Sequence, residues 1–299
     1  MVAISSPANT DGSAPTQSSW AAVICLSLLT FVLVASEFMP ASLLTPIATS
    51  LTVSEGQAGQ AIAISGLFAI VTSLFGNSLL TRFDRRTVVF IYTAVMIVSG
   101  VAVAFAPNYL IFMVGRALIG VAVGGFWSLS TAILARVVSS DDLPKAIAML
   151  QGGTALATVI AAPLGSFLGG LVGWRIAFFL VVPVGLLGLI WQFMVLPKMP
   201  AQSTVNVRHM VGLLKQPLLA IGIVATVLAF MGFYALSTYL RPYLENVAGF
   251  DVNSLSLALL GLGLAGLVGN LIVGFLVKSH LKAAVIGLPT IMAILAVLM

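Results

Sequence analysis

The stretch YLIFMVGRALIGVAVGGFWSLSTAILA, residues Tyr109–Ala135, indicates the fold of this chain most directly. It is apolar over more than the about 20 residues that cross a bilayer, and it contains one charge, Arg116. A guanidinium inside a membrane is costly and usually faces the interior of a helical bundle, where it pairs with another group. Steps of four residues from this arginine reach Gly120, Gly124 and Ser128, small residues on roughly the same helix face. The stretch therefore predicts a membrane-spanning helix with a buried charge and a face that a second helix can approach closely.

The composition of the whole chain is typical of a polytopic, all-α membrane protein. Hydrophobic residues make up 60% and charged residues 7% of the sequence, whereas about a quarter of a soluble domain is charged. Long apolar runs favour helices over a β-barrel, which would show weak alternation. The single cysteine, Cys25, excludes an intrachain disulfide, and the two histidines lie in expected loops, so the sequence predicts no metal site. It also contains no phosphate-binding glycine loop, and it indicates neither a cofactor, nor an enzyme, nor a nucleic-acid partner.

Nine apolar segments have roughly the length that a bilayer requires. They are Trp20–Leu44, Gln60–Leu80, Thr87–Phe105, Tyr109–Ala135, Ala146–Gly173, Ile176–Leu196, Leu218–Tyr239, Leu255–Val277 and Ala283–Met299. Residues 1–19 are polar and are expected to form a disordered tail. The polar segment 197–217 is expected to link a six-helix bundle, residues 20–196, to a partial bundle of three helices, residues 218–299.

The basic residues predict the orientation of the chain. Ten of the 13 lysines and arginines fall in alternate loops, and the opposite loops hold only Arg175 and Arg241. Because positive charge is enriched in cytoplasmic loops, the ten-residue side is expected to be cytoplasmic, together with the N-terminal tail and the linker. One of these loops packs four charges between spans two and three, namely Arg82, Asp84, Arg85 and Arg86. This cluster is either a solvated topology signal or a latch that joins two helix ends by ion pairs.

A second charge within the spans, Glu37, lies near the outer end of span one. It is seven residues from Leu44, and Arg116 is seven residues from Tyr109, so both lie roughly 10 Å below the outer surface at about 1.5 Å per residue. A carboxylate beside a guanidinium responds to protons, because its protonation depends on whether its partner is engaged. Glu37 and Arg116 are therefore candidates for proton coupling. The alternative is that Glu37 lies at the outer interface and accepts helix-end hydrogen bonds.

Two further sets of residues are candidates for function. Polar or amphipathic side chains within apolar spans are candidates for a substrate pocket, and each is equally consistent with packing: Asn77, Trp127, Ser128, Gln151, Tyr234 and Tyr239. Small residues around a proline in span five are candidates for a gate or for a purely structural groove, as are the glycines of span four: Pro163, Gly165, Gly169 and Gly170, with Gly120 and Gly124.

Several of these stretches resemble motifs of one family. Residues 116–125 are similar to the fourth-helix arginine motif of the major facilitator superfamily, and residues 162–175 resemble the fifth-helix antiporter motif of its drug:H+ antiporter-1 group. The loop 82–86 resembles the motif between helices two and three of that superfamily. There Thr81 stands where an aspartate is usual, and Asp84 where a glycine is usual.

Within the superfamily, the chain resembles bacterial purine ribonucleoside efflux pumps over nearly all of residues 20–299. The similar stretches are 37–46, 54–60, 124–127, 160–169, 239–242 and 248–250. The resemblance implies a major-facilitator-type helical bundle with about nine of the twelve usual helices, so that the chain is truncated at its C-terminal end. It implies a proton-coupled antiporter of the bacterial inner membrane, a monomer if complete, whose partners are the lipid bilayer, protons and a small-molecule substrate. Purine ribonucleosides such as inosine are the expected substrates. A multidrug or sugar exporter and a truncated, non-transporting remnant are the alternatives.

Overall fold

The computed structural model describes residues 18–76, 80, 83–199 and 216–298. Most of the predicted tail and most of the predicted linker lie outside the described residues, as do Asn77 and Arg82. Throughout the described ranges the regular structure is helical.

Ten α-helices and one π-helical turn make up the described part of the chain. They are α1 (Trp20–Ser42), α2 (Leu44–Leu51), α3 (Glu55–Val71) with its π-helical turn (Thr72–Gly76), α4 (Arg85–Ala104), α5 (Tyr109–Val137), α6 (Leu143–Val172), α7 (Trp174–Phe179), α8 (Val181–Val195), α9 (Pro217–Asn246) and α10 (Val252–Leu298). Seven helical segments of the described residues are long and apolar enough to cross a membrane. The predicted class, an all-α polytopic membrane protein, is confirmed.

The starts of α3 and α5 are fixed by local capping and are joined to each other. Ser54 and Gln57 form a capping box, in which the Ser54 hydroxyl accepts from the Gln57 N–H at 3.1 Å and the Gln57 side chain accepts from the Ser54 N–H at 3.0 Å. Asn108 caps α5 by accepting from the Ile111 N–H at 3.0 Å. The Tyr109 hydroxyl then donates to the Gln57 carbonyl at 2.9 Å, so the two helices begin side by side.

The end of α1 is a break that the sequence did not predict. Pro40 lies in the last turn of α1, and Leu43, with φ −119° and ψ 15°, separates α1 from the short helix α2. The break follows Glu37 by five residues. It frees the last carbonyl groups of α1 for partners outside the helix.

The structure differs from the predicted spans near residues 278–282. The backbone from Val252 to Leu298 is one continuous helix, so the loop predicted between spans eight and nine is wrong. The physical reason is that the sequence between Gly274 and Gly287 contains no glycine or proline to end a helix. At 1.5 Å per residue this helix is about 70 Å long, and the two apolar segments lie end to end within it.

The core lies among the first eight helices. Buried apolar side chains of these helices form one large cluster, in which the most deeply buried large members include Phe112, Phe178, Leu26 and Ile133. The most extensive helix pairs are α1 with α6, α4 with α5, α3 with α5, and α6 with α10. The pairs α1–α6 and α3–α5 contain most residues of the candidate site.

Candidate functional site

Arg116 is fully buried and joins three helices. Its side chain on α5 is 1% exposed. Its Nη1 donates to the Ser36 carbonyl at 3.0 Å, and its Nη2 donates to the Glu37 carbonyl at 3.4 Å, both on α1. Its Nε donates to the Ala61 carbonyl of α3 at 3.4 Å. Three main-chain carbonyl groups therefore accept hydrogen bonds from the guanidinium, independently of any carboxylate.

The structure brings the Glu37 carboxylate to the same guanidinium through a third residue, Ser65. The Arg116 Nη2 lies 3.5 Å from Glu37 Oε2, and the Glu37 side chain is 15% exposed. The Ser65 hydroxyl donates to Glu37 Oε1 at 2.6 Å and accepts from Arg116 Nη2 at 3.4 Å. We name Glu37, Ser65 and Arg116 the Glu37 cluster. Its two charges belong to the predicted site residues, whereas Ser65 was missed.

The small residues of α5 explain why Ser65 lies there. A Cβ atom at Gly120 would lie 2.1 Å from the Ser65 carbonyl oxygen, and one at Gly124 would lie 2.2 Å from the Ala69 carbonyl oxygen. Backbone packing this close is the usual effect of small residues at four-residue spacing in membrane helices. On α3 the sequence has Ala61, Ser65 and Ala69 at the same spacing. That matching stripe is the signal from which Ser65 could have been found.

The glycines of α6 pack against α1 near its break and against α10. Pro163 lies inside α6 and is buried. Three of the candidate glycines each have a neighbouring side chain within 2.6 Å of a hypothetical Cβ: Gly165 lies against Ser42, Gly169 against Leu43 and Gly170 against Val252. A side chain at these positions would displace its neighbour, so the glycines favour close packing, and a gating role for them stays a prediction.

Helix α9 binds the free carbonyl end of α1 with an arginine. Arg241, which is 5% exposed, donates from Nη1 to the Ser42 carbonyl. Its Nη2 lies 2.7 Å from the Glu245 carboxylate one turn later in α9. The sequence counted Arg241 only as an outer-loop charge. The structure places it in a buried contact between α9 and the broken end of α1.

Aromatic side chains of α9 lie beside the Glu37 cluster. The Tyr234 ring stacks on Phe38 with centroids 5.9 Å apart and an interplanar angle of 12°. Tyr239 is 47% exposed, and its hydroxyl would lie 3.0 Å from a Cβ atom at Gly59 of α3. Two of the candidate pocket residues thus lie where α9 contacts α1 and α3.

The remaining pocket candidates are divided. Trp127 is half-buried and packs, with Phe31 and Phe38, on a small apolar cluster of α1 and α6 residues: Val34, Ala35, Ala157 and Ala161. The Ser128 hydroxyl donates to the Gly125 carbonyl of its own helix at 2.9 Å. Gln151 is exposed. The structure thus places Trp127 and Phe38 on one apolar cluster, with Tyr234 stacked on Phe38, while Asn77 lies outside the described residues.

The charged loop before α4 is latched by hydrogen bonds. The Met199 N–H donates to the two Asp84 carboxylate oxygens at 3.1 and 3.0 Å, and the Arg85 N–H donates to the Met199 carbonyl at 3.0 Å. Asp84 also caps α4 by accepting from the Arg86 N–H at 2.7 Å. Among the described residues none of these charges forms an ion pair. Asp84, which stands where the family motif usually has a glycine, therefore binds this loop to the segment that follows α8.

Comparison with known proteins is consistent with this arrangement. The family model described as Major Facilitator Superfamily matches residues 26–299. The chain is 47% identical over 290 residues to the transcription regulatory protein OpdE of Pseudomonas aeruginosa, covering 95% of this chain and 72% of that protein. It is 38% identical over 278 residues to the purine ribonucleoside efflux pump NepI of Salmonella typhimurium, covering 93% of this chain and 70% of that protein.

The fold is also similar to a solved transporter structure. This is a bacterial homologue of the human lysosomal transporter Spinster, in an inward-facing and unoccupied conformation, with a TM-score of 0.73 and 16% identity. The match covers 86% of this chain, which spans 62% of the length of that structure. At this identity the likeness concerns the fold alone.

Proposed function

Since the chain belongs to the major facilitator superfamily and is a multi-pass membrane transporter, not an enzyme, we propose that it exports a small polar organic solute in exchange for protons. The observation that carries this proposal is the Glu37 cluster. A single carboxylate, largely buried and bonded to a serine hydroxyl and a buried guanidinium, can alternate between an ionised and a protonated form within the helical bundle.

The main-chain hydrogen bonds of Arg116 keep its guanidinium bonded to α1 and α3 in both forms of Glu37. When Glu37 is ionised, its carboxylate accepts from Ser65 and lies 3.5 Å from the guanidinium. When it is protonated, Arg116 keeps its main-chain acceptors on α1 and α3, and the Ser65 hydroxyl can donate to the Ile62 carbonyl, which lies 2.9 Å away. Protonation therefore neutralises the carboxylate, while the N–H groups of Arg116 and the Ser65 hydroxyl keep hydrogen-bond acceptors.

We propose that the proton signal reaches the second group of helices through α9. In the proposed organisation, residues 20–196 and 218–299 are two bundles that rock about a central site, joined by the linker 197–217. Exposure along α9 supports this organisation: Thr238 and Arg241 are 6% and 5% exposed, whereas Ile221 and Leu228 are 68% and 60% exposed. Among the described residues, α9 is therefore buried near the break in α1 and exposed near its start.

The proposed substrate is a purine ribonucleoside such as inosine. The named activity of the NepI relative supports this assignment, as does the aromatic group of Phe31, Phe38, Trp127 and Tyr234, because planar bases stack on aromatic rings. Sugar or drug export by the same mechanism is the competing assignment. The proposed location is the bacterial inner membrane, with the N-terminus in the cytoplasm, which a reporter fused before Ser18 would test.

The test is uptake of labelled inosine by inverted membrane vesicles in which a proton gradient is imposed. The wild-type chain should accumulate inosine only with the gradient, and Glu37→Gln should abolish this accumulation. Glu55→Gln is the matched control, because that carboxylate also accepts from a hydroxyl, that of Thr45, but lies at the start of α3 away from Arg116. Gradient-driven uptake that persists in Glu37→Gln would refute the coupling role. Gradient-driven uptake of a sugar or drug, without inosine, would refute only the substrate.

A further inference from the structure

A shallow apolar groove lies between α4 and α8 on the outside of the bundle. Its volume is about 340 Å³, and it is lined by Thr87, Phe90, Ile91, Ala94, Leu189 and Phe193. All of these side chains except that of Thr87 are apolar, and Phe193 is 66% exposed. In a membrane this groove faces the hydrocarbon of the lipids.

An arginine lies at the end of the groove where α4 begins. The Arg86 guanidinium lies over two rings of the groove, with its Cζ 5.2 Å from the Phe90 centroid and 4.9 Å from the Phe193 centroid. Its Nη2 also donates to the Phe193 carbonyl. The two rings stack on each other with centroids 5.8 Å apart. The charge is therefore held against the groove by α4 and α8 together.

The charge of Arg86 is not neutralised by the described side chains. None of the ion pairs among the described residues includes Arg86, and its buried Nε has no hydrogen-bond partner. The nearest carboxylate in sequence, Asp84, accepts from the main-chain N–H groups of Arg86 and Met199. Arg85 adds a second positive charge beside Arg86 at the start of α4.

We propose that this groove binds an anionic phospholipid, with the headgroup phosphate at Arg86 and an acyl chain along Phe90, Ala94 and Leu189. Phosphate oxygens accept strong, charge-assisted hydrogen bonds from a guanidinium. When two N–H groups of the planar guanidinium bind two phosphate oxygens, the orientation of the phosphate is fixed. The apolar lining can bury the acyl chain of a lipid, whereas a soluble phosphate has no hydrocarbon to place there. The proposal does not depend on the proposed transport activity, since the groove lies on the outer surface of the first eight helices.

The test is native mass spectrometry of the full-length chain, purified in detergent and incubated with phosphatidylglycerol or with phosphatidylcholine of the same acyl chains. The wild type should retain phosphatidylglycerol roughly fivefold more than phosphatidylcholine, because both carry the phosphate but phosphatidylcholine also carries a choline cation that cancels its net charge beside Arg86. Arg86→Gln should remove this preference. The matched control is Arg85→Gln, which makes the same charge change one residue away, and it should keep the preference.

A second variant tests the acyl part of the site and does not touch the arginine. Leu189→Trp fills the groove and should reduce retention of both lipids, while melting curves show that the variant is folded. Soluble glycerol phosphate should not displace the bound lipid. Equal retention of the two lipids by the wild type, an equal loss in Arg85→Gln and Arg86→Gln, or displacement by glycerol phosphate would each overturn the proposal.

Discussion

Gly120 of α5 packs directly on the main chain of Ser65 of α3, so that a Cβ atom at position 120 would lie 2.1 Å from the Ser65 carbonyl oxygen. The same serine donates to Glu37 at 2.6 Å. One close contact between two helices therefore also sets the position of the hydroxyl that binds the buried carboxylate.

We expect Gly120→Ala to destabilise the protein, because the neighbour of the added methyl group is backbone and cannot move aside. Overpacking of this kind usually costs about 1–3 kcal/mol. The measurement is thermal unfolding in detergent. Gly66→Ala is the matched control, since position 66 is also helical, on α3, and has no heavy atom within 4 Å of an added Cβ. Equal melting temperatures for the two variants would contradict the packing described here.

Ser65→Ala should change the pH profile of proton-driven transport. The variant removes the hydroxyl that donates to the Glu37 carboxylate and accepts from Arg116, so the two charges lose the group that links them. The measurement is the pH profile of gradient-driven uptake in inverted vesicles. Ser36→Ala serves as control, because its hydroxyl donates to the Val32 carbonyl of the same helix and should leave the profile unchanged. An unchanged pH profile in Ser65→Ala would show that this serine has no part in proton coupling.

Helix periodicity and end counting could predict part of this site. Glu37 and Arg116 lie seven residues from the predicted ends of spans one and four, Leu44 and Tyr109, and a constant rise per residue then sets them at one depth, although α1 itself ends at Ser42. Their separation of 3.5 Å agrees with that count, while their role in proton coupling stays a proposal. The small residues at four-residue spacing on α5, Gly120 and Gly124, likewise indicated that another helix packs closely there.

Contacts that depend on how remote segments pack could not be predicted in this way. Arg241 and Ser42 are 199 positions apart, and Asp84 and Met199 are 115 apart. The first pair forms because the end of α1 leaves the Ser42 carbonyl free, and the second because the segment after α8 lies against the N-cap of α4. The sequence did not reveal the break after Ser42. The continuity of α10 was not predicted either. Its charged residues near 278–282 suggested a loop, but the local helix propensity there continues the helix.

Arg116→Lys should restore only part of the coupling that Arg116→Ala abolishes. The guanidinium reaches three carbonyls on α1 and α3 in a fixed planar geometry, whereas an ammonium is a compact charge on a shorter reach. The measurement is the ratio of uptake with and without the proton gradient, at matched amounts of folded protein. A lysine variant with full activity and normal coupling would show that charge alone suffices.

Acidification should release the contact between the start of α1 and the start of α6. The Ser18 hydroxyl donates to Asp142 at 2.6 Å, and this hydrogen bond holds the pKa of the Asp142 carboxyl below its ordinary value of 3.8. Because the folded pKa is depressed, the stabilisation is present above 3.8 and is lost as the pH falls through the lowered value. Hydrogen exchange at residues 18–19 and 137–142 would report this loss.

Two variants check the assignment of that pH dependence. Ser18→Ala removes the largest cause of the shift, so its protection should be lost at a higher pH than in the wild type. Asp142→Asn should show weak protection with no pH dependence in this range. If the wild type loses protection equally at all pH values, the carboxylate is not responsible for the contact.

Arg241→Gln should loosen α9 from α1 and α3, because the fork that binds both the Ser42 carbonyl and Glu245 is lost. The measurement is the rate of maleimide labelling of a thiol introduced by Gly59→Cys, in a Cys25→Ser background. Position 59 packs on Tyr239, so labelling should be slow with arginine at 241 and several-fold faster with glutamine. A thiol introduced by Gly66→Cys on the same helix faces open space and should label at one rate in both backgrounds. Unchanged labelling at position 59 would mean that the aromatic contacts of α9 hold the helices together without Arg241.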